Sequence, residues 1–241
     1  GHRQPLAVGY DVRHDDGAAT VRRLARVGGH PWARLLDEEL RITQLGAFAS
    51  LELRPFDRLA LRGGLRLDSF TFDVVDRNRP SETRSGPREP VEAMDAGGLA
   101  LQPRVSARLG LLPGLDWLAA FGIGVRSSDA AGLSDGEFAP FARVRAAETG
   151  FAWAGEAPFD HDVRLVGFVT HVDRDLVFDE RLARNVFVGP SSRHGALLAV
   201  HAAPLPGLEV QGSVTWAEAH LVDAEAGFFD LGAGARLPYV P

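Results

Sequence analysis

Leu101-Gln102-Pro103-Arg104-Val105-Ser106-Ala107-Arg108-Leu109-Gly110-Leu111 is the stretch that decides the fold. Read with a period of two, Leu101, Val105, Ala107, Leu109 and Leu111 fall on one face, and Gln102, Arg104, Ser106 and Arg108 fall on the other. That alternation is the signature of a β-strand with one apolar and one polar face. The same pattern recurs on both sides of it. Downstream, Leu115 begins a segment in which Trp117, Ala119, Phe121, Ile123 and Val125 share a face. Upstream, Leu59, Leu61, Leu65 and Leu67 oppose Arg58, Arg62, Arg66 and Asp68, and before them Leu45, Ala47, Ala49, Leu51 and Leu53 oppose Gln44, Ser50, Glu52 and Arg54. Near the C-terminal end, Leu208, Val210, Val214 and Trp216 oppose Glu209, Gln211, Ser213 and Thr215. Helical periodicity is weak almost everywhere.

These strands are long, several exceeding the ~5–6 residues common in soluble sheets and reaching the ~9–11 that a tilted membrane strand needs. Their connections alternate between short and long. Pro55–Asp57, Pro113–Gly114, Ala154–Pro158 and Pro204–Gly207 are short and each contains proline, which presets φ for a tight turn. Arg13–Glu39, Val74–Gly98, Ser127–Pro140 and Leu176–Pro190 read as long loops. In an up-and-down sheet, successive connections fall at opposite ends. All short turns then lie at one end and all long loops at the other, as in outer-membrane barrels.

Nine strands begin near Leu6, Glu39, Arg58, Ala100, Leu115, Phe141, Asp160, Ser191 and Leu208, and a tenth is expected near Asp230. Apolar residues switch faces within Phe141–Trp153 and Asp160–Val172, which a β-bulge would explain. An open edge would leave backbone groups unpaired in lipid. The expected fold is therefore an all-β, antiparallel up-and-down transmembrane β-barrel, incomplete, with nine or ten strands of a larger barrel in one domain over residues 1–241. Trp117, Trp153, Phe159 and Trp216 are expected near the short turns as an interfacial girdle.

Composition is consistent with this reading and excludes other classes. The chain has 241 residues, a net charge of -6 and no Cys. The acidic balance argues against a nucleic-acid partner, and the missing thiols exclude disulfides and cysteine chemistry. No apolar run approaches the ~18 residues of a membrane helix. Gly1-His2-Arg3-Gln4 carries no signal pattern, so an export signal is expected upstream.

Several segments resemble the barrel of TonB-dependent receptors. Gly64-Leu65-Arg66-Leu67-Asp68-Ser69-Phe70 is similar to a recurrent strand of that family, and Gln102-Pro103-Arg104-Val105 to the strand entry that follows it. Phe121 to Ser127 resembles a glycine-rich strand ending in Arg-Ser, with Ser128 where proline is usual. Glu148-Thr149-Gly150, Asp175-Leu176-Val177 and Arg193-His194-Gly195-Ala196-Leu197 follow in family order, Leu197 replacing the usual acid. Leu237-Pro238-Tyr239-Val240-Pro241 looks like a late linker of the barrel. The resemblance covers roughly residues 40–241. It implies a bacterial outer-membrane receptor with outer-membrane lipid around it and a plug domain and TonB box outside this stretch. It also implies energy coupling through TonB and uptake of a scarce small molecule such as an iron–siderophore complex or cobalamin. No cofactor, catalytic residue or metal ligand is expected.

On lipid, Arg62, Arg66, Arg104 and Arg108 would each cost about 2–4 kcal/mol at the midplane. Together with Gln211 they are expected to face the lumen, where they could meet acidic groups of a plug. The alternatives are a plug-less porin or structural barrel, a barrel enzyme, and a soluble β-sandwich binding domain. Gly132-Leu133-Ser134-Asp135-Gly136 matches G-x-S-x-G, but no helix pattern follows as a nucleophile elbow requires. His14-Asp15-Asp16 and His161-Asp162 lack helical metal-binding spacing. Asp173, Asp175 and Asp179 lack the glycine and terminal glutamate of a calcium loop. Gly232-Ala233-Gly234 lacks the third glycine of a dinucleotide loop.

Overall fold

The computed structural model describes residues 6–80, 87–89, 94–127, 141–156, 159–179, 183–223 and 234–237. The strands in chain order are β1 (Leu6–Leu24), β2 (Pro31–Phe56), β3 (Leu59–Asp76), the short β4 (Arg79–Pro80) and β5 (Arg88–Glu89), β6 (Met94–Leu112), β7 (Leu115–Ser127), β8 (Phe141–Gly155), β9 (Asp160–Asp179), β10 (Arg184–Leu205) and β11 (Leu208–Leu221). Nine of them form one sheet in the order β1-β2-β3-β6-β7-β8-β9-β10-β11, each antiparallel to the next, and β4 pairs with β5. The nine expected strands are all present. Beyond β11, Arg236 bridges His220, and Ala235 and Leu237 exchange backbone hydrogen bonds with Leu221 and Ala219. A strip at residues 234–237 thus lies where a tenth strand was expected; Asp230 is outside the described residues.

The register fixes the two faces. Leu59, Leu109, Trp117, Phe151, Leu165, Leu198 and Val214 are successive cross-strand partners, forming one apolar row over seven strands. Phe151, Leu165, Leu198 and Val214 are exposed in this row, as are Leu65, Leu67, Leu101, Val105, Val210 and Trp216 on the same face. A soluble sandwich would bury this face; here it is a continuous apolar exterior, far larger than the patches soluble monomers tolerate. On the opposite face, Arg62, Arg104, Ser106, Gly122, Glu148 and Thr170 line one groove that spans five neighbouring strands. Side chains from five strands converge only if the sheet curls toward them, so the polar face is concave.

The same row gives the tilt. It begins at Leu59, beside the β2–β3 turn, and ends at Val214, six residues in from the start of β11, after six strand-to-strand steps. A climb of one residue (~3.3 Å) per ~4.8 Å strand spacing is a tilt of about 35° when the short turns are level, the value of membrane barrels.

Three expectations are corrected. The segment Arg13–Glu39 is not a loop. β1 and β2 stay hydrogen-bonded through most of it, and the connection shrinks to residues 25–30. Likewise β3 runs to Asp76, β6 starts at Met94, and residues 180–183 alone separate β9 from β10. These extensions hold cross-strand polar pairs, such as Arg41–Asp16 at 3.6 Å and His14 with Thr43 at 2.9 Å. Across β1 and β2 such pairs stand in place of an apolar face, so the alternation is lost and hydropathy reads that segment as a loop.

The second correction concerns the bulge. β7–β8 and β8–β9 pair without a shift through Phe141–Trp153 and the matching part of β9. The shifts lie between β9 and β10, around Gly189. The apolar residues change faces because the environment inverts. Toward the long-loop end the concave side becomes apolar, with Phe70, Phe72, Val74, Ala100 and Phe141 in one buried cluster and Val177, Val188, Ala219, Leu221 and Leu237 in another. The outward side there carries Arg143, Arg145 and His171 instead. Beyond the bilayer, water surrounds the exterior, and burial is possible only on the inner side.

Trp117 and Trp153 sit two residues from their turns, and Phe159 lies in the β8–β9 connection, as expected of an inner girdle. Trp216 is eight residues into β11. With the 35° tilt it stands about 22 Å above the short turns, near the far side of an apolar belt ~25 Å tall, so it belongs to the opposite interface.

Candidate functional site

The concave wall is organised around two buried carboxylates. Asp68 on β3 is fully buried. It accepts two hydrogen bonds from Arg66, Nε to Oδ2 and Nη2 to Oδ1, both at 2.7 Å. Gln44 Nε2 on β2 donates to it at 2.8 Å, and Gln102 Nε2 on β6 donates to its other oxygen. Arg66 also reaches across β2 to Asp11 on β1, with bonds of 2.8 and 3.0 Å. The Arg66–Asp68 pair thus ties four strands: the guanidinium joins β1 to β3 through forked charge-assisted bonds, and the carboxylate adds β2 and β6 through the two amides. Gly46, cross-strand from both Asp11 and Asp68, makes the space: a Cβ there would lie 2.7 Å from Asp68 Oδ1 and 2.8 Å from Asp11 Oδ1.

Asp175 on β9 is the second hub, also fully buried. Ser191 Oγ and Arg193 Nη2 on β10 donate to its Oδ2 at 2.5 Å each, and Arg126 Nη1 on β7 donates to its Oδ1 at 2.8 Å. The register shift at Gly189 falls opposite Asp175, and the Leu176 N–H donates to Oδ1 at 2.9 Å. A buried carboxylate needs this many donors to offset its desolvation.

Arg62, Arg66, Arg104 and Arg108 all occupy concave-side positions of β3 and β6, and Gln211 occupies the same side of β11 opposite His201. The structure does not bring Gln211 near the arginines. Three of the four arginines are already engaged within the wall: Arg62 with Glu52 at 3.2 Å, Arg66 as above, and Arg108 with Asp116 at 2.5 Å. Arg104 has no hydrogen-bonding or ionic partner among the described residues. It lies over Gly64, where a Cβ would come within 2.9 Å of its Nε, and lines the groove together with Glu148, Thr170 and Phe168.

Sequence reading missed the two hubs. Asp68 could have been found, because it shares the polar face with Arg66 two residues away. Asp11 and Arg126 could not, because their partners are 55 and 49 residues distant in sequence.

The other motifs disperse. Asp15 pairs with Arg13, and Asp16 with Arg41. His161 and Asp162, adjacent on β9, project to opposite faces. Asp173 accepts from the Arg143 N–H at 2.6 Å. The Gly132–Gly136 stretch and residues 232 and 233 lie outside the described residues, as does the side chain of Asp179. Among the described residues, no three metal-ligating side chains converge.

A long-stranded, tilted, up-and-down sheet with an apolar exterior and a polar concave interior is the wall of an outer-membrane β-barrel. The family model described as TonB dependent receptor-like, beta-barrel matches residues 1–241, and the chain belongs to that family. No curated protein matches it. Among solved structures it is similar to the copper transporter OprC, with 17% identity and a TM-score of 0.65, over 89% of this chain and 34% of that one. It is also similar to the ferric-catecholate import receptor Fiu of E. coli K12 in its closed form, with 14% identity and a TM-score of 0.59, over 90% and 34%. The alcaligin receptor FauA of Bordetella pertussis gives 14% identity and 0.55, over 89% and 39%. At such identities the likeness is one of fold. The chain spans about a third of the length of the first of these receptors. Its place is the bacterial outer membrane, and its family consists of receptors.

Proposed function

We propose that this chain is part of the barrel wall of a receptor that takes up a scarce ligand, such as an iron–siderophore complex or cobalamin. In this reading a plug closes the lumen and TonB moves it. The observation that carries it is the family match along the whole chain. Receptors for a ferric catecholate and for alcaligin share the fold, which supports the siderophore class. The test is uptake by cells whose only receptor contains this chain, supplied with labelled ferric catecholate, ferric hydroxamate, copper or cobalamin. TonB-dependent accumulation of one of them is expected. Uptake that persists without TonB, together with steady open conductance in planar bilayers, would instead mark a plug-less porin.

Within this function Arg104 is proposed to meet a carboxylate on the plug. It is the concave-side arginine of the predicted set that has no polar partner among the described residues, and it lines the groove. The variant Arg104→Gln is expected to lower plug stability and to cut uptake about thirtyfold, the low end of the effect of breaking a desolvated ion pair. Arg62→Gln, which loses only an exposed pair with Glu52, is expected to change uptake less than twofold, as exposed ion pairs contribute little. Wild-type plug protection against hydrogen exchange in Arg104→Gln would refute the contact.

A further inference from the structure

We infer that the outward row Arg145–His171–Ser192–His220, together with Arg143, binds the phosphate-bearing headgroup of an outer-leaflet glycolipid. The four residues are successive cross-strand partners on β8, β9, β10 and β11. Their face is the exterior. His220 stacks on His194 at 6.0 Å, and His194 meets the exposed Trp216 edge-on at 5.8 Å.

Height places the row at the membrane boundary. Arg145 is ten residues in from the turn end of β8, about 27 Å up at the 35° tilt, where a belt ~25 Å tall gives way to headgroups. The row is also local. At similar height on β6 the exterior is Leu101 and Leu99, both exposed. A general polar rim would have continued there; a cationic patch on one sector instead marks a site.

The donors are available. The Arg143 and Arg145 side chains are exposed and have no hydrogen-bonding or ionic partner among the described residues. The nearby carboxylates are otherwise occupied. Asp173 accepts from the Arg143 backbone N–H, and Glu218 takes Arg236 at 3.1 Å and His220 at 3.3 Å. Two guanidinium forks beside the His171 imidazole and the Ser192 hydroxyl match the oxygens of a phosphomonoester, while His220 is held by Glu218. The apolar residues below, Val169 and Trp216, would lie along the acyl chains.

The test is binding of lipid A, and of its fully dephosphorylated form, to the purified receptor containing this chain, read by native mass spectrometry. Wild type is expected to retain the phosphorylated lipid preferentially. Arg143→Gln/Arg145→Gln is expected to weaken retention about thirtyfold, from the contribution of two basic residues at a charged membrane surface. Heat-modifiable mobility of the variant checks that the barrel is intact. Equal retention of the two lipids, or retention unchanged in the double variant, would overturn the site. Displacement of the lipid by equimolar inorganic phosphate would reassign it to a free anion and overturn the lipid as its occupant.

Discussion

Replacing Asp68 by alanine is expected to destabilise the barrel by about 3 kcal/mol, the lower part of the range for removing one partner of a buried ion pair. The carboxylate is fully buried and serves Arg66, Gln44 and Gln102 at once. Its loss leaves two amides and one edge of a guanidinium facing each other without an acceptor. The cost stays at the lower end because Arg66 keeps its bonds to Asp11 and its side chain is one-third exposed. Urea unfolding of the receptor, followed by loss of heat-modifiable mobility, measures it. Asp68→Asn, which keeps an acceptor oxygen, should fall between wild type and Asp68→Ala. An Asp68→Ala midpoint equal to wild type would show that the network holds nothing together.

Arginine placed at Leu165 is expected to cost about 2–4 kcal/mol, the midplane penalty on the lipid face of a barrel. Leu165 belongs to the apolar row and is half exposed. It lies five residues into β9, about 14 Å above the turns, near the middle of the belt. The matched control is Leu197→Arg on β10, whose side chain is on the concave side beside Val166. A charge there reaches the lumen, so the control should lose less than half as much. Unfolding free energies in lipid vesicles decide the matter. Equal losses at the two positions would mean that the faces are assigned wrongly.

Both predictions depend on which face meets which medium, and that was largely legible in the residues. Alternation in Leu59–Asp68, Leu101–Leu111 and Leu208–Trp216 separates lipid-facing from lumen-facing side chains without any structure. The pairing order follows as well, because tight turns at Asp57, Gly114 and Gly207 force neighbours to be antiparallel. Gly114 and Gly207 do adopt positive φ there.

The remainder was not legible. Within Phe141–Val172 the apolar residues move to the concave side while the exterior becomes charged. A pattern reader sees a parity error where the chain has simply left the bilayer. The extended hairpin of β1 and β2 above Arg13 was hidden for the same reason, since cross-strand ion pairs leave no apolar periodicity.

The sequence by itself determined the all-β class, the nine strands, the direction of the faces in the strands that alternate, and the family. Those properties are local: they depend on a period of two, on turn residues, and on short motifs. Only the tertiary structure decided that Asp68 and Asp175 are hubs, that Arg104, unlike its neighbours, has no polar partner among the described residues, and that Arg145, His171, Ser192 and His220 form one row. Each of these depends on register between strands up to dozens of residues apart. Register is set by the whole ladder of hydrogen bonds and by the tilt that a barrel wall requires.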